Sequence, residues 1–330
     1  MSYLYKMKIA FYMGAICVRG TSNATYDYAD YNEKILGNQS IIIIPKSSLS
    51  VNDRLGVIRI STRFPIRIHD GPDHLDRILL EEGCTMMYNL KYGKNDGPLS
   101  KKVKNLIHCV FDMSEPHGDV YAGVSRALAA KFGKDLYVPH MVGLKPTGKD
   151  NLRKELGIPE SAIVFGRYGG LDTFNIRFCM DIIRWLVNIR RDIYFIFINT
   201  PEFYKHPQIF YLPKITREED KNRFIQTCDA HLECGTLGHS FGLAIAENSV
   251  NNKPVIAYRP QPNTLWNTAH IEILGDGGLY FKDEDEFKNI LTNFNPVDYK
   301  DKDNNFYKNY TPEKVMEIFK RVFIDGSNNK

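Results

Sequence analysis

Gly238-His239-Ser240-Phe241-Gly242-Leu243-Ala244-Ile245-Ala246-Glu247-Asn248 is followed closely by Lys253-Pro254-Val255-Ile256-Ala257-Tyr258. Small, flexible residues lead straight into a helical run, and a strand comes after it. The first amides of a helix have no acceptor within the helix and favour an anion. Glu247 lies eight residues after His239. At 1.5 Å per residue that is roughly 12 Å along a helix, about the reach of a nucleotide-diphosphate sugar from sugar ring to ribose. One helix could hold the phosphates at its start, touch the sugar from position 239 and bind ribose hydroxyls through Glu247. The plainer alternative is an amphipathic helix between two strands, with Phe241, Leu243 and Ile245 in the core.

Outward from this stretch the chain alternates. Lys8 to Met13 reads as a strand, Gly14 to Asn23 as a loop, Ala24 to Leu36 as a helix and Ser40 to Ile44 as a strand. That βαβ unit favours a parallel sheet. Further strands are expected at 64–68, 85–90, 106–111, 121–125 and 136–138, with helices at 73–82 and 126–132. Gly143-Leu144-Lys145-Pro146-Thr147-Gly148-Lys149 breaks the rhythm and reads as a linker. Beyond it, strands are expected at 162–167, 193–199, 209–212, 230–233, 254–258 and 278–281. Helices are expected at 177–188, 218–228, 241–250, 264–274 and 284–293, and Thr311-Pro312-Glu313 opens a last one. Two doubly wound α/β domains follow, with ligands expected at the carboxyl ends of their strands.

The 330 residues suffice for two cores. Net charge is +4 with basic and acidic residues interleaved, which suits an anionic ligand and falls short of a nucleic-acid-binding signature. The six cysteines form no Cys-x-x-Cys pair, so reduced thiols and a cytoplasmic location are expected. Cys228, Cys234, His231 and His239 match no standard zinc spacing. No apolar run reads as a signal peptide or a membrane span. Gly14 and Gly20 are six apart, no Gly-x-Gly-x-x-Gly follows the first strand and no Walker loop occurs, which argues against a nicotinamide dehydrogenase or a P-loop enzyme.

Phe241, Gly242, Leu243, Glu247, Pro254 and Val255 resemble the signature of glycosyltransferase family 4, retaining enzymes of the GT-B fold. That signature reads Glu-Gly-Phe-Gly-Leu, three residues, Glu, then a turn and Pro-Val-Val. The chain departs from it at His239, where the family has its first Glu, and at Ser240, where it has Gly. Overall the sequence resembles most the glycosyltransferases of this family encoded by large DNA viruses of algae, and a viral chain would be expected in the host cytosol.

The resemblance implies two Rossmann-like domains facing across a cleft. Residues 1–145 would form the acceptor side, joined by a C-terminal helix at 312–330, and residues 151–311 would hold the donor. It implies a nucleotide-diphosphate sugar, GDP-mannose before UDP-glucose, and a glycan or glycoprotein acceptor. No metal, cofactor, nucleic acid or membrane insertion is expected, and a homo-oligomer stays open. Arg19 and Gly20 would face the diphosphate and acceptor, and His108 the transferring sugar. Arg167 would meet the diphosphate; the family's Lys, about six residues later, falls near Thr173 and is missing. Amides of Gly169 and Gly170 could replace it, and Arg177 could help if its loop folds back. The segment ending at Lys214 would meet the nucleobase. Ser240, Phe241, Gly242 and Leu243 would hold the phosphates, His239 the sugar hydroxyls and Glu247 the ribose. Alternatives stand beside these: an exposed turn arginine at 19, a core histidine at 108, and a solvated acidic first turn at Glu218, Glu219 and Asp220. A nucleotide-sugar-binding protein without turnover, or an epimerase of the same fold, are the other readings.

Overall fold

The computed structural model describes residues 7–17, 20–148, 150–215, 217–262 and 264–326. The chain divides into two compact units, with boundaries at Gly143/Leu144 and Asn309/Tyr310.

In the first unit the elements run β1 (Lys8–Tyr12), α1 (Gly20–Lys34), β2 (Gln39–Pro45), α2 (Arg54–Arg63), β3 (Ile66–His69), α3 (Pro72–Glu81), β4 (Met86–Lys91), β5 (Lys104–Cys109), β6 (Val120–Gly123) and α4 (Arg126–Lys131). All six strands are parallel, in the order β3-β2-β1-β4-β5-β6. Strands covered on both faces read as continuous apolar runs, and Ile41 to Ile44 are all buried.

The second unit holds α5 (Arg153–Leu156), β7 (Ile163–Tyr168), α6 (Arg177–Ile189), β8 (Ile193–Ile198), β9 (Ile209–Leu212), α7 (Glu218–Thr227), β10 (Ala230–Glu233), β11 (Gly238–His239), α8 (Leu243–Val250), β12 (Val255–Tyr258), β13 (Asn267–Thr268), α9 (Ala269–Leu274), β14 (Leu279–Phe281), α10 (Glu284–Asn293) and α11 (Val297–Lys300). Its sheet is parallel, ordered β14-β12-β10-β7-β8-β9, and β11 pairs with β13 apart from it. Each six-stranded sheet runs outward in both directions from its first strand. The order reverses between β1 and β4 in one unit and between β7 and β10 in the other.

Four expectations change. A helix the sequence reading lacked, α2, is capped by Asp53, which accepts from the Gly56 amide at 2.8 Å; Leu55 and Ile58 stand exposed on it, so its pattern is not that of a core-facing helix. Residues 136–138 contribute only a bridge from Tyr137 to Gly123. The helix expected from 264 starts at Ala269, because Asn267 and Thr268 pair with β11. The helix expected from Phe241 starts at Leu243, because Gly242 takes φ 89°.

The last helix, α12 (Pro312–Phe319), is capped by Thr311 and continues as a π-helical turn over Lys320–Ile324. Val315, Met316, Phe319, Val322 and Phe323 all lie in the core of the first unit. Phe319 stacks on Tyr28, with ring centres 5.4 Å apart. Phe319→Ala should therefore destabilise the first unit by about 3–5 kcal/mol, the usual cost of emptying a buried aromatic site. Denaturant unfolding followed by a reporter in that unit checks this, and an unchanged midpoint would show that the helix is not holding the core.

Candidate functional site

Open parallel sheets bind ligands beyond the carboxyl ends of the strands where the order reverses. In the second unit those strands are β7 and β10, with Ala230 opposite Phe165. Arg167 lies next to the end of β7 and Glu233 closes β10.

Arg167 is 1% exposed. Its Nη1 donates to Thr200 Oγ1 at 2.6 Å and lies 3.3 Å from the Asn199 carbonyl. Its Nη2 donates to the Gly170 carbonyl at 2.7 Å and to Thr173 Oγ1 at 2.5 Å. Burial works against its charge, and the carboxylate of Glu233 supports it. These terminal nitrogens, expected on a diphosphate, instead bond to the loops that follow β7 and β8. Thr173, where the family pattern has Lys, is one of those partners. Gly169 and Gly170 belong to the same knot: the Gly169 carbonyl accepts from Asn199 Nδ2 at 2.8 Å. A Cβ on Gly169 would come within 3.0 Å of Arg167 Nη2. Arg177 is exposed and 3.7 Å from Asp181, so it stays outside this knot.

Glu247 sits on α8 with its side chain 14% exposed. One oxygen meets Lys221 Nζ at 2.5 Å, and the other accepts from the Tyr168 hydroxyl. The carboxylate is thus held between α7 and the end of β7. Ahead of it, Phe241 is buried edge-on to Tyr307, and its carbonyl accepts from the Tyr307 hydroxyl at 2.9 Å. Phe241 therefore anchors the turn through the core and does not line a surface. Gly242 makes the turn at positive φ, where an L side chain is strained. Ser240 is buried and Leu243 half-buried.

His239 is 23% exposed, and its Nε2 lies 3.0 Å from Glu233 Oε2. Burial disfavours its charged form, but the Glu233 carboxylate outweighs this and raises its pKa. Its ring stands edge-on to His270, 5.3 Å between centres. Sequence reading singled out neither Glu233 nor His270. The signal for Glu233 was its place at the end of the fourth strand of the unit, a switch-point position once strand order is known. Lys221 and Tyr168 carried no such signal.

The remaining expectations fall elsewhere. His108 is fully buried on β5. Its Nε2 donates to the Val138 carbonyl at 2.8 Å, which fixes the tautomer, so Nδ1 accepts from the Tyr88 hydroxyl at 2.7 Å. Burial, with His140 beside it, drives its pKa well down. It is a satisfied core histidine and reaches no open surface. Lys214 is exposed beyond edge strand β9, two strands away from β7. Gly20 opens α1 and is exposed, and Arg19 lies outside the described residues. Among the described residues no cluster of three or more His, Cys, Asp or Glu could hold a metal ion. None of the helices described is long and apolar enough to cross a membrane.

No family model matches this sequence, and no curated protein matches it. Solved structures do. Anabaena Alr3699/HepE in complex with UDP and glucose is 13% identical, covering 97% of this chain and 99% of that one, with a TM-score of 0.65. A glycosyltransferase from Rickettsia africae ESF-5 is 14% identical over 96% and 99% of the two chains, with a TM-score of 0.68. A protein described as a UDP-N-acetylglucosamine 2-epimerase, from Listeria monocytogenes, is 11% identical over 97% of each chain, with a TM-score of 0.59. The likeness is one of fold: two parallel-sheet Rossmann-like units of six strands each, as in GT-B glycosyltransferase structures.

The placement of His108 has a measurable consequence. His108→Ala should cost about 2–4 kcal/mol, because it leaves a buried hydroxyl and a carbonyl unpaired and opens a void. Binding of a nucleoside diphosphate should stay unchanged, as calorimetry beside a denaturation curve would show. Acid should weaken the same unit. His140, like His108, is held neutral by burial, at about 4. Unfolded, both take up protons near pH 6.5. The stability their neutral forms supply is therefore complete above about pH 6.5 and declines as pH falls below it. A thermal midpoint that does not move between about pH 7.5 and 5 would contradict this assignment.

Proposed function

We propose that this chain is a retaining glycosyltransferase that takes a nucleotide-diphosphate sugar as donor. The observation that carries the reading is the clustering at the β7–β10 reversal. A half-exposed histidine and the start of α8 lie there, and a carboxylate stands one turn further along that helix. The departing diphosphate would be stabilised by α8 amides and His239, without a metal. Arg167 would act at one remove, by fixing the loops around the reversal. Glu247 would accept hydrogen bonds from ribose hydroxyls once the Tyr168 hydroxyl or the Lys221 ammonium yields part of its hold. The first unit would present the acceptor hydroxyl of a glycan or glycoprotein. GDP-mannose is the first donor to test. UDP-glucose is the second, and the Anabaena structure in complex with UDP and glucose gives it independent support. The work of transfer would proceed in the cytoplasm, host cytosol if the chain is viral.

Calorimetric titration against GDP-mannose, UDP-glucose and other nucleotide sugars tests the reading, and absence of binding to all of them would end it. Glu247→Ala should weaken binding of the accepted donor by about 1.5–3 kcal/mol, the worth of hydrogen bonds to a charged group. A 2′,3′-dideoxyribose analogue should bind wild type and variant alike. Unaltered donor affinity in a folded Glu247→Ala protein would remove Glu247 from the site. Measuring sugar transfer and donor hydrolysis beside binding separates a transferase from a binding protein, and an epimerised sugar released without acceptor would mark an epimerase.

A further inference from the structure

Position 239 is met by a carboxylate from the preceding strand. Glu233 ends β10, at the reversal of strand order, with its side chain 5% exposed. Its Oε2 lies 3.0 Å from His239 Nε2 and 3.9 Å from His231 Nε2. Its Oε1 is buried without a hydrogen-bond partner. A buried carboxylate is costly unless hydrogen bonds and opposite charge offset the loss of water.

The neighbours explain how Glu233 stays ionised. Asn248 Nδ2 donates to the Ala244 carbonyl at 2.9 Å and points its other hydrogen at His231 Nδ1, 3.1 Å away. His231 Nδ1 is therefore an acceptor, and its proton sits on Nε2, facing Glu233. His239 gives Nε2–H to the same carboxylate. Together the two histidines hold Glu233 well below the usual carboxylate range, against its burial. Nδ1 of His239 has no hydrogen-bond partner among the described residues, and part of the ring is open to solvent. The ring packs edge-on against His270, 5.3 Å between centres.

The charged groups around His239 come from several elements. Glu233 favours its cation, while Arg167 from β7 opposes it. His270 from α9 stays neutral, pushed down to about 3 by burial. His231 is also held down, chiefly by burial, and the Cys234 thiol stays protonated for the same reason.

We propose that Glu233 is a positioning residue, holding the His239 ring by Nε2 so that Nδ1–H is offered to an anionic oxygen of the ligand at the start of α8. The class of ligand is a diphosphate diester, and that identity rests on the nucleotide-sugar reading. The pairing of Glu233 with His239 does not. Binding is then strongest where His239 is charged and is lost as pH rises through its titration. A carboxylate at 239 could not serve this way, because an ionised carboxylate only accepts hydrogen bonds.

Two measurements on the full chain test this. The first is an NMR pH titration of the His239 ring without ligand. Its midpoint should lie above about 6.5 in the wild type and fall by at least about one unit in Glu233→Gln. The second is the affinity for GDP-mannose and UDP-glucose between about pH 6 and 9, a range in which a diphosphate diester does not titrate and a raised histidine does. The wild type should lose at least about tenfold over this range, Glu233→Gln should lose its affinity at lower pH, and His239→Gln should bind weakly and without pH dependence. His239→Gln keeps Glu233, so it serves as the test if Glu233→Gln fails to fold. Equal His239 midpoints in wild type and Glu233→Gln would overturn the pairing. A flat wild-type affinity would overturn its role toward the ligand. Failure of every nucleotide sugar to bind would sink the functional reading alone, since the ligand-free titration still judges the pair.

Discussion

The second unit is organised around one buried cation. Arg167 has no water to solvate it, so its guanidinium must be satisfied by the chain itself. The groups that do so lie just past the ends of β7 and β8: Gly170, Thr173, Asn199 and Thr200. Asn199 takes φ 52°, a conformation uncommon outside glycine, and its side chain turns back to Gly169. Two loops that would otherwise be free at the sheet's open edge are thereby tied to one planar fork. Its charge is also felt by Glu233, which supports it, and by His239, which it opposes. A lysine could carry the charge but not the fork.

Packing below the loops is equally demanding. A Cβ on Gly166, in the middle of β7, would meet Cys228 Sγ at 2.2 Å and Phe224 at 2.9 Å. Helix α7 therefore lies against bare backbone at this point. Cys228, one of the cysteines weighed as a metal ligand, is used instead as a small buried filler.

The sheets were legible in the sequence because parallel strands covered on both faces must be apolar at every position. Ile41 to Ile44 and Phe195 to Ile198 show this plainly. Helices with a buried stripe, such as α6 and α10, were legible for the analogous reason. Helix α2 was not, since Leu55 and Ile58 face outward and its main start signal is Asp53. The start of α8 was misjudged because Phe241 looks like a helix residue, while the turn at Gly242 depends on its backbone. Among the candidate site residues, Glu247 and His239 were marked by their spacing and by the family signature they fall on. Arg167 was marked by the family resemblance as a phosphate ligand, but its partners here are loop carbonyls and hydroxyls that no sequence pattern marks. Glu233 was hidden because the short loop between β10 and β11 turns the chain back so that it meets His239 six residues on, and no sequence pattern marks that turn. His108 shows the opposite error: a strand histidine whose two nitrogens are already spoken for.

Helix α12 adds an asymmetry in time. Ribosomes release the chain from its first residue onward, yet the first unit draws Phe319 and Phe323 into its core from the far end. The second unit, running from Leu144 to Asn309, is an insertion within the first and contains all of its own strands. During synthesis it can reach its final packing while the first unit still waits for its last helix. The part of the first unit's core that α12 completes cannot close before residue 323 has been made. Until then Tyr28 lacks Phe319, and Tyr88 lacks both Phe319 and Phe323, so a nascent chain stalled before residue 312 would carry that gap open to solvent.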